Sequence, residues 1–230
     1  MPKIKWDEVG KHFYEAGVDN CVLYPAAADG TYPLGVAWNG ITSISESPSG
    51  ADANKQWADN LNYITLYGVE EYGATIEAFT YPEEFEACDG SATLVKGVTI
   101  GQQPRLGFGL SYRTKVGNDT VGQDLGYKIH LIYGGRAAPS DRGYETINDS
   151  PEAITFSWEV TTTPVAVKDH KPTACLTIDS RDFTSEAAKA KLEAFLDILY
   201  GTDGQGNNDG TTARLPLPDE VKTFLTVTNP

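Results

Sequence analysis

Alternation of apolar and polar side chains is the dominant pattern along this chain. Ile154, Phe156, Trp158 and Val160 alternate with polar residues, and the segment 127–133 repeats the pattern. A period of two is typical of strands that bury one face. Further strands are predicted at 21–24, 34–43, 61–67, 74–80, 92–100, 107–114 and 173–179. About nine strands at this spacing predict a mainly β fold of two packed antiparallel sheets, as a sandwich or barrel.

One segment has helical spacing instead. Between Thr184 and Tyr200 the apolar residues fall three or four positions apart, at Ala188, Leu192, Phe195, Leu196 and Leu199. Thr184 or Ser185 can cap the first turn, and Gly201 can end the last one. The pattern predicts one α-helix near 184–200 that flanks the sheets.

Three polar segments are too long for tight turns between strands. They span 45–60, 134–151 and 202–214. Long connections without regular structure are usually functional or disordered. We therefore expect the long inter-strand loops to carry the contacts of this protein. The segment 45–60 is expected to be mobile in the free chain and to become ordered when a partner covers it.

Composition places the chain among soluble globular proteins. It has 230 residues, of which 40% are hydrophobic and 22% charged, enough to form a core. We predict one domain over 1–230, with an N-terminal arm at about 1–15 and a C-terminal extension at about 202–230. No apolar run reaches the roughly 18 residues of a membrane span. The first 15 residues do not resemble a signal peptide, so a cytoplasmic site of synthesis is expected.

The charge is strongly acidic and unevenly distributed. A net charge of -14 disfavours proteins that bind phosphate backbones through clustered cations. Between Ser45 and Gly90 the chain has ten acidic residues and one cation, Lys55. Between Lys96 and Arg142 it has seven cations and three aspartates. Opposite signs on different parts of one subunit suit head-to-tail self-association, although a solvated mixed surface is the simpler interpretation.

The residues that could carry catalysis or bind a metal form no recognisable motif. His12, His130 and His170 are isolated in sequence, so we predict neither a metal site nor a cofactor. Ser111 lies within a strand pattern, without the glycines of a nucleophile elbow. The cysteines are odd in number and lack a CxxC spacing, which favours small buried thiols: Cys21, Cys88 and Cys175.

A cluster of carboxylates offers one enzymatic alternative. Glu83, Glu84 and Glu86 follow Tyr81 and Pro82, and a pair of such carboxylates could serve a glycosidase. Adjacent carboxylates are more often a solvated acidic turn. We therefore expect that the protein is not an enzyme and has no catalytic residues.

Five blocks of sequence stand out along the chain: YEAGVDNCVLY at 14–24, GVAWNGITSISE at 35–46, EEYGATIEAFTYPEEF at 70–85, NDSPEAI at 148–154 and FSWEV at 156–160. The match that they carry runs in order over roughly residues 10 to 200. Together these blocks resemble the major tail proteins, or tail tube proteins, of long-tailed, non-contractile bacteriophages. The resemblance implies a subunit of two packed sheets and one helix. Such subunits form the six-membered rings of that family, and the rings stack into a tube for DNA.

The resemblance also implies partners and a contact segment. A long loop between early strands commonly reaches the next ring in this family, and 45–60 takes that place here. The inter-ring contact is therefore assigned, as a hypothesis, to Ser45, Glu46, Ser47, Asp52, Lys55, Trp57 and Asp59. Implied partners are other copies of the chain, a tape measure protein and tail-tip and terminator proteins.

The same resemblance implies a virion protein that is assembled in the host cytoplasm. DNA would be a passing cargo without sequence-specific binding, and no membrane would be involved. Six copies would carry roughly -84 per ring, and such a charge on a lumen would repel DNA. Some relatives carry an added immunoglobulin-like domain, which is not expected here.

A carbohydrate-binding β-sandwich is the alternative function. Trp38, Trp57, Tyr63 and Tyr67 could form a stacking platform for sugar rings. Aromatic residues at alternate positions of strands belong to a core more often than to such a platform. The two functions predict particles of different size: a sugar-binding module remains a small defined species, whereas a tube protein forms rings or filaments.

Overall fold

A computed structural model describes residues 3–147, 149–204 and 209–226. Most of the regular structure is β. The strands are β1 (Phe13–Pro25), β2 (Val36–Ala37), β3 (Ile41–Glu46), β4 (Ser49–Gly50), β5 (Ala53–Ala58), β6 (Leu61–Tyr67), β7 (Glu70–Glu71), β8 (Gly73–Ala78), β9 (Ala92–Val95), β10 (Val98–Ile100), β11 (Phe108–Asn118), β12 (Gly122–Ala137), β13 (Phe156–Thr162) and β14 (Cys175–Asp179). The helices are α1 (Glu86–Asp89), α2 (Glu186–Tyr200) and α3 (Pro218–Leu225), with short 3-10 turns at Glu83–Phe85 and Ser180–Asp182.

Eight of the strands form one antiparallel sheet. Its order is β2-β1-β11-β12-β13-β8-β3, and β14 also pairs with β12. The long strand β12 pairs with β14 through residues 128–132 and with β13 through residues 135–137. The sheet curls over itself, so that β3 at one end of the order contacts β1 near the other end.

The curled sheet encloses the first of two cores. Leu23 and Leu110 from β1 and β11 meet Ile76 and Trp158 from β8 and β13 in this core. The second core lies on the opposite face of β1 and β12, where Tyr24 and Leu131 pack against α2 and α3. A two-layered, mainly β fold with a flanking helix is therefore confirmed.

The flanking helix follows its sequence signals closely. The side chain of Ser185 accepts a hydrogen bond from the amide of Ala188, and Gly201 ends the helix with φ of 76°. The buried stripe consists of Ala188, Leu192, Phe195 and Leu199. Because an N-cap satisfies an otherwise free amide, Ser185→Ala should lower the free energy of unfolding by about 1 kcal/mol. Chemical denaturation followed by circular dichroism checks this value, and an unchanged midpoint would contradict it.

Two segments that were predicted to be single strands are divided in the structure. The segment 34–43 breaks at Gly40, with φ of 81°, and 92–100 is a hairpin that turns at Gly97, with φ of 83°. A left-handed backbone conformation interrupts strand pairing, and glycine adopts it without the penalty that a Cβ brings. The strand β12 also extends to Ala137, into the segment predicted as a loop from 134.

Further features concern the cysteines, the start of β1 and the C-terminal segment. Cys21 and Cys88 are buried, but Cys175 is exposed because it begins β14 at the rim of the sheet. The strand β1 begins at Phe13, within the segment of about 1–15 that was predicted as an N-terminal arm. The C-terminal segment contains α3, which opens on Pro218, a residue favoured in the first turn of a helix. Among the described residues, no helix has the length and apolarity needed to cross a membrane.

Candidate functional site

The segment between β3 and β8 forms a long hairpin that leaves the main sheet. We call residues 47–72 the arm. Within it, β4 pairs with β7 and β5 pairs with β6, and neither pair joins the eight-stranded sheet. At the usual rise of a strand, the six residues of β5 alone span roughly 20 Å. The arm is thus a projection built on two strands of the body.

The local sequence explains this hairpin. Asp59 and Asn60 connect β5 to β6, and their φ angles are 51° and 63°. Two successive left-handed residues in a two-residue connection are typical of the type I′ turn, which matches the twist of paired strands. Gly50 has φ of 83°, and a Cβ there would lie 2.3 Å from the carbonyl oxygen of Val69. Only glycine fits at this crossing between the two sides of the arm.

The prediction of an irregular loop at 45–60 is therefore wrong. The segment contains the end of β3, all of β4 and β5, and the first residue pairs of the hairpin. Its Ser, Gly and Asp content is typical of loops. An exposed strand can have the same composition, because neither of its faces has to be apolar. The pairing with 61–71 supplies the regular structure instead.

Large apolar side chains cover the arm and are exposed to solvent. Trp57 is 68% exposed and Tyr63 is 76% exposed. The full set is Trp57, Leu61, Tyr63, Ile64, Leu66, Tyr67 and Val69. In β6 the side chains of Ile64 and Leu66 lie on one face, and those of Tyr63 and Tyr67 lie on the other. Both faces of the hairpin are therefore apolar, a feature that marks an interaction surface.

The arm also carries an excess of negative charge. Asp52, Asp59, Glu70 and Glu71 are exposed, and Lys55 is the cation among them. None of these five residues forms an ion pair within the described part of the chain. Free charges beside apolar groups can steer an incoming partner of opposite sign.

The seven predicted contact residues divide between the body and the arm. Ser45 and Glu46 lie at the end of β3 and pair with Thr75 and Ala74 of β8. We call this end of β3, where the arm leaves the body, the root of the arm. The amide of Ser47 donates to the carbonyl of Gly73 where the arm begins. The other four, Asp52, Lys55, Trp57 and Asp59, are exposed on the arm.

Sequence reasoning missed the returning strand as part of the same surface. Most of the apolar groups of the arm lie on β6 rather than β5. The segment 61–67 was correctly predicted as a strand. An Asp-Asn pair between two extended segments was the available signal that this strand folds back on 53–58.

A polar cluster fixes the root of the arm to the body. The hydroxyl of Tyr112 donates to Oε1 of Glu46 at 2.7 Å. The ring of His130 stacks on that of Tyr112 with centroids 4.7 Å apart, and its Nε2 lies 3.3 Å from Oε1 of Glu15. Burial and the hydrogen bond with Glu46 raise the pKa of Tyr112. The tyrosine therefore stays protonated as the donor that holds the end of β3.

Glu15 completes this cluster on the β1 side. Its carboxylate accepts a hydrogen bond from Nζ of Lys128 at 2.5 Å and another from the hydroxyl of Thr114. Although burial raises the pKa of Glu15, these hydrogen bonds outweigh it, and the pKa lies below its usual value. Glu15 therefore remains charged at neutral pH and balances Lys128.

The four aromatic residues of the sugar-binding alternative do not form one platform. Trp38 is buried in the first core, where Nε1 donates to the carbonyl of Thr80 at 2.8 Å. Trp57, Tyr63 and Tyr67 are exposed on the arm. The expectation that aromatic residues belong to the core is thus correct for Trp38 and wrong for the three residues of the arm.

The acidic cluster at 83–86 lies at the surface of the first core. Glu83 and Glu84 are exposed on the 3-10 turn, and Glu86 begins α1. The buried carboxylate nearby is Asp89, which the sequence analysis did not single out. Arg142 pairs with it, and Nε1 of Trp158 donates to its Oδ1 at 3.2 Å.

Asp89 is thus a structural ion-pair partner. Nη1 of Arg105 lies 3.6 Å from its Oδ1, so two guanidinium groups compensate the buried charge, as burial of a carboxylate requires. Burial, with a smaller effect of Asp89, raises the pKa of the neighbouring Cys88 thiol to about 12. This thiol is therefore protonated at neutral pH.

The other candidate side chains lie apart from one another. Ser111 is buried in β11 with its hydroxyl 3.0 Å from that of Tyr24. His12 is exposed beside Asp119, His130 lies at the root of the arm, and His170 is exposed. Within the described residues, no three His, Cys, Asp or Glu side chains have an arrangement that could hold a metal ion.

Comparisons with known proteins give little similarity. No protein-family model matches the chain, and no curated protein matches it. A solved structure that does align is a chain of the anti-feeding prophage (AFP) baseplate, determined by cryo-EM with six-fold symmetrisation. The TM-score is 0.35 at 8% identity, over 76% of this chain and 97% of that one. A likeness of this size carries no argument about function.

Proposed function

We propose that this chain is a structural virion subunit that assembles with copies of itself into stacked rings, forming the tail tube of a bacteriophage. The observation that carries the proposal is the arm, whose two faces expose apolar side chains that no other described residue of the same copy covers. A two-stranded hairpin is marginal on its own in water. A neighbouring subunit that buries these side chains would stabilise both the arm and the assembly.

Open strand edges support lateral association within a ring. In the described part of the sheet, β2 and β3 each pair on one side, with β1 and β8 respectively. Unpaired edges are the natural sites for strand addition by a neighbour, and a closed ring removes them. Stacking of one ring on the next through the arm is a heterologous contact, which continues into a filament.

The remaining parts of the proposal come from the sequence resemblance. They are six subunits per ring, a lumen through which DNA passes without specific binding, and contacts with a tape measure protein and with tail-tip and terminator proteins. Assembly would take place in the host cytoplasm, and no catalytic role is proposed. The net charge of -14 per chain suits a conduit that DNA must not adhere to.

Sugar binding by the arm is the second candidate. The exposed rings of Trp57, Tyr63 and Tyr67 favour it, since aromatic faces stack on sugars. The aliphatic side chains of Leu61, Ile64 and Leu66 beside them favour a protein partner instead, because buried apolar area drives protein association.

Sedimentation velocity distinguishes the two functions. We expect the wild-type protein to form species that grow with concentration, because stacking through the arm has no closed end point. A sugar-binding module would keep one sedimentation coefficient at all concentrations and would bind a glycan array. A single small species across the tested protein and salt concentrations, with glycan binding, would contradict the assembly proposal and establish the alternative.

A further inference from the structure

A second small hairpin also leaves the main sheet. Strands β9 and β10 pair with each other and lie outside the eight-stranded sheet. Lys96 and Gly97 form the turn between them. We call residues 91–101 the acceptor hairpin. Its apolar side chains are exposed, with Leu94 at 63% and Val95 at 60%, and Val98 is also exposed.

The acceptor hairpin has the opposite charge character to the arm. From Ser91 to Asn118 the chain has cations and no Asp or Glu. Lys96 projects at the turn and forms no ion pair within the described residues. The arm has four exposed carboxylates that also lack such a pair there. Two apolar surfaces with charges of opposite sign meet the basic requirement for specific docking.

We propose that the acceptor hairpin of one copy receives the arm of a second copy. This inference rests on the proposed self-assembly and names the surface that the arm binds. Both surfaces remain exposed within one copy, so neither covers the other there. Burial of Ile64 and Leu66, which share one face of β6, against Leu94 and Val98 removes apolar area of both copies from water. Lys96 then lies among the carboxylates of the arm.

Such a contact is head-to-tail. Each copy offers one arm and one acceptor hairpin, and the two are different surfaces, so the contact is heterologous and propagates. An arm that paired with the same arm of another copy would instead give a closed two-fold contact. It would also bring carboxylates of like sign together, which is unfavourable.

Two assembly-deficient variants test the pairing. The arm variant is Ile64→Asp with Leu66→Asp, and the acceptor variant is Leu94→Asp with Lys96→Glu. Each change places a carboxylate at a docking surface, so each variant alone should need at least about 30-fold more protein to stack. In an equimolar mixture, the acceptor variant supplies an intact arm and the arm variant supplies an intact acceptor hairpin, so one contact between the two variants can form. It should therefore give a species of twice the mass that each variant forms alone, and nothing larger, in mass photometry.

Controls separate the failure of this pairing from failure of the assembly itself. Val121→Asp introduces the same charge at an exposed position on the turn between β11 and β12 and should stack normally.

Lys96→Glu alone, in an exposed turn, provides an acceptor variant with the apolar side chains intact. Circular dichroism verifies that each variant is folded. An acceptor variant that stacks like the wild type, or a mixture that stays at the mass of its components, would overturn the pairing while wild-type stacking stands. Wild-type protein that never stacks would overturn the pairing together with the proposed function.

Discussion

Trp57→Ala should give a folded protein that no longer stacks into tubes. The indole is 68% exposed on β5, so its removal leaves both cores intact. Truncation of a tryptophan that becomes buried in an interface typically costs at least about 2 kcal/mol. The loss repeats at every subunit of a ring, so other contacts cannot compensate for it. Circular dichroism should match the wild type, while sedimentation velocity should show no stacked species.

Tyr144→Ala is the matched control for Trp57→Ala. Tyr144 is an aromatic residue that is 73% exposed and lies outside the arm and the acceptor hairpin. Its truncation should leave stacking unchanged. Normal tubes from Trp57→Ala would show that this side chain takes no part in the contact, and an unfolded variant would show that it serves the fold instead.

Trp158→Ala should have the opposite effect, with a large loss of stability. Trp158 is 0% exposed at the centre of the first core. Its ring lies 5.1 Å from that of Phe85 and 5.6 Å from that of Trp38, between centroids, and its Nε1 donates to Asp89. A cavity of this size in a packed core costs about 3–5 kcal/mol. Urea denaturation should show a correspondingly lower midpoint.

The control for Trp158→Ala is Trp6→Ala. Trp6 is 74% exposed, and substitutions at such surface positions usually change stability by less than about 0.5 kcal/mol. The two variants lose the same side chain, so the comparison isolates burial as the cause. A loss below about 1 kcal/mol for Trp158→Ala would contradict the assignment of this residue to the core.

The sequence predicted the elements whose signals are local. The helix at 186–200 has its cap, its apolar stripe and its terminating glycine within one continuous segment. The strand around Trp158 buries alternate side chains and so shows a period of two. The strand around Ile129 shows the same period up to Leu131, after which Ile132 and Tyr133 are also buried because a core lies on each face of β12. The breaks at Gly40 and Gly97 were missed although the sequence holds a signal for each: Asn39 precedes Gly40 and Lys96 precedes Gly97, and a polar residue followed by glycine is a common turn pair.

The arm shows where sequence reasoning reaches its limit. The assignment of an inter-ring contact to 45–60 came from the family resemblance and stays a prediction, and the hairpin structure of this segment was not predicted. Exposed strands lack the burial that creates alternation, and the partner of β5 becomes evident only from the Asp59-Asn60 turn. Whether Tyr63 or Trp38 is exposed to solvent depends on contacts between residues far apart in sequence. Trp38, for example, donates to the carbonyl of Thr80, 42 residues away. Such contacts have no local signature.

Electron microscopy of the purified wild-type protein, imaged alongside the Trp57→Ala variant, tests the central claim most directly. The account predicts hollow tubes of stacked rings for the wild type, in which the arm of each copy contacts a copy in the adjacent ring. It predicts no tubes for Trp57→Ala at the same concentration. Fields of dispersed single subunits for the wild type, at every protein concentration and ionic strength tested, would contradict the claim that this chain builds a tube.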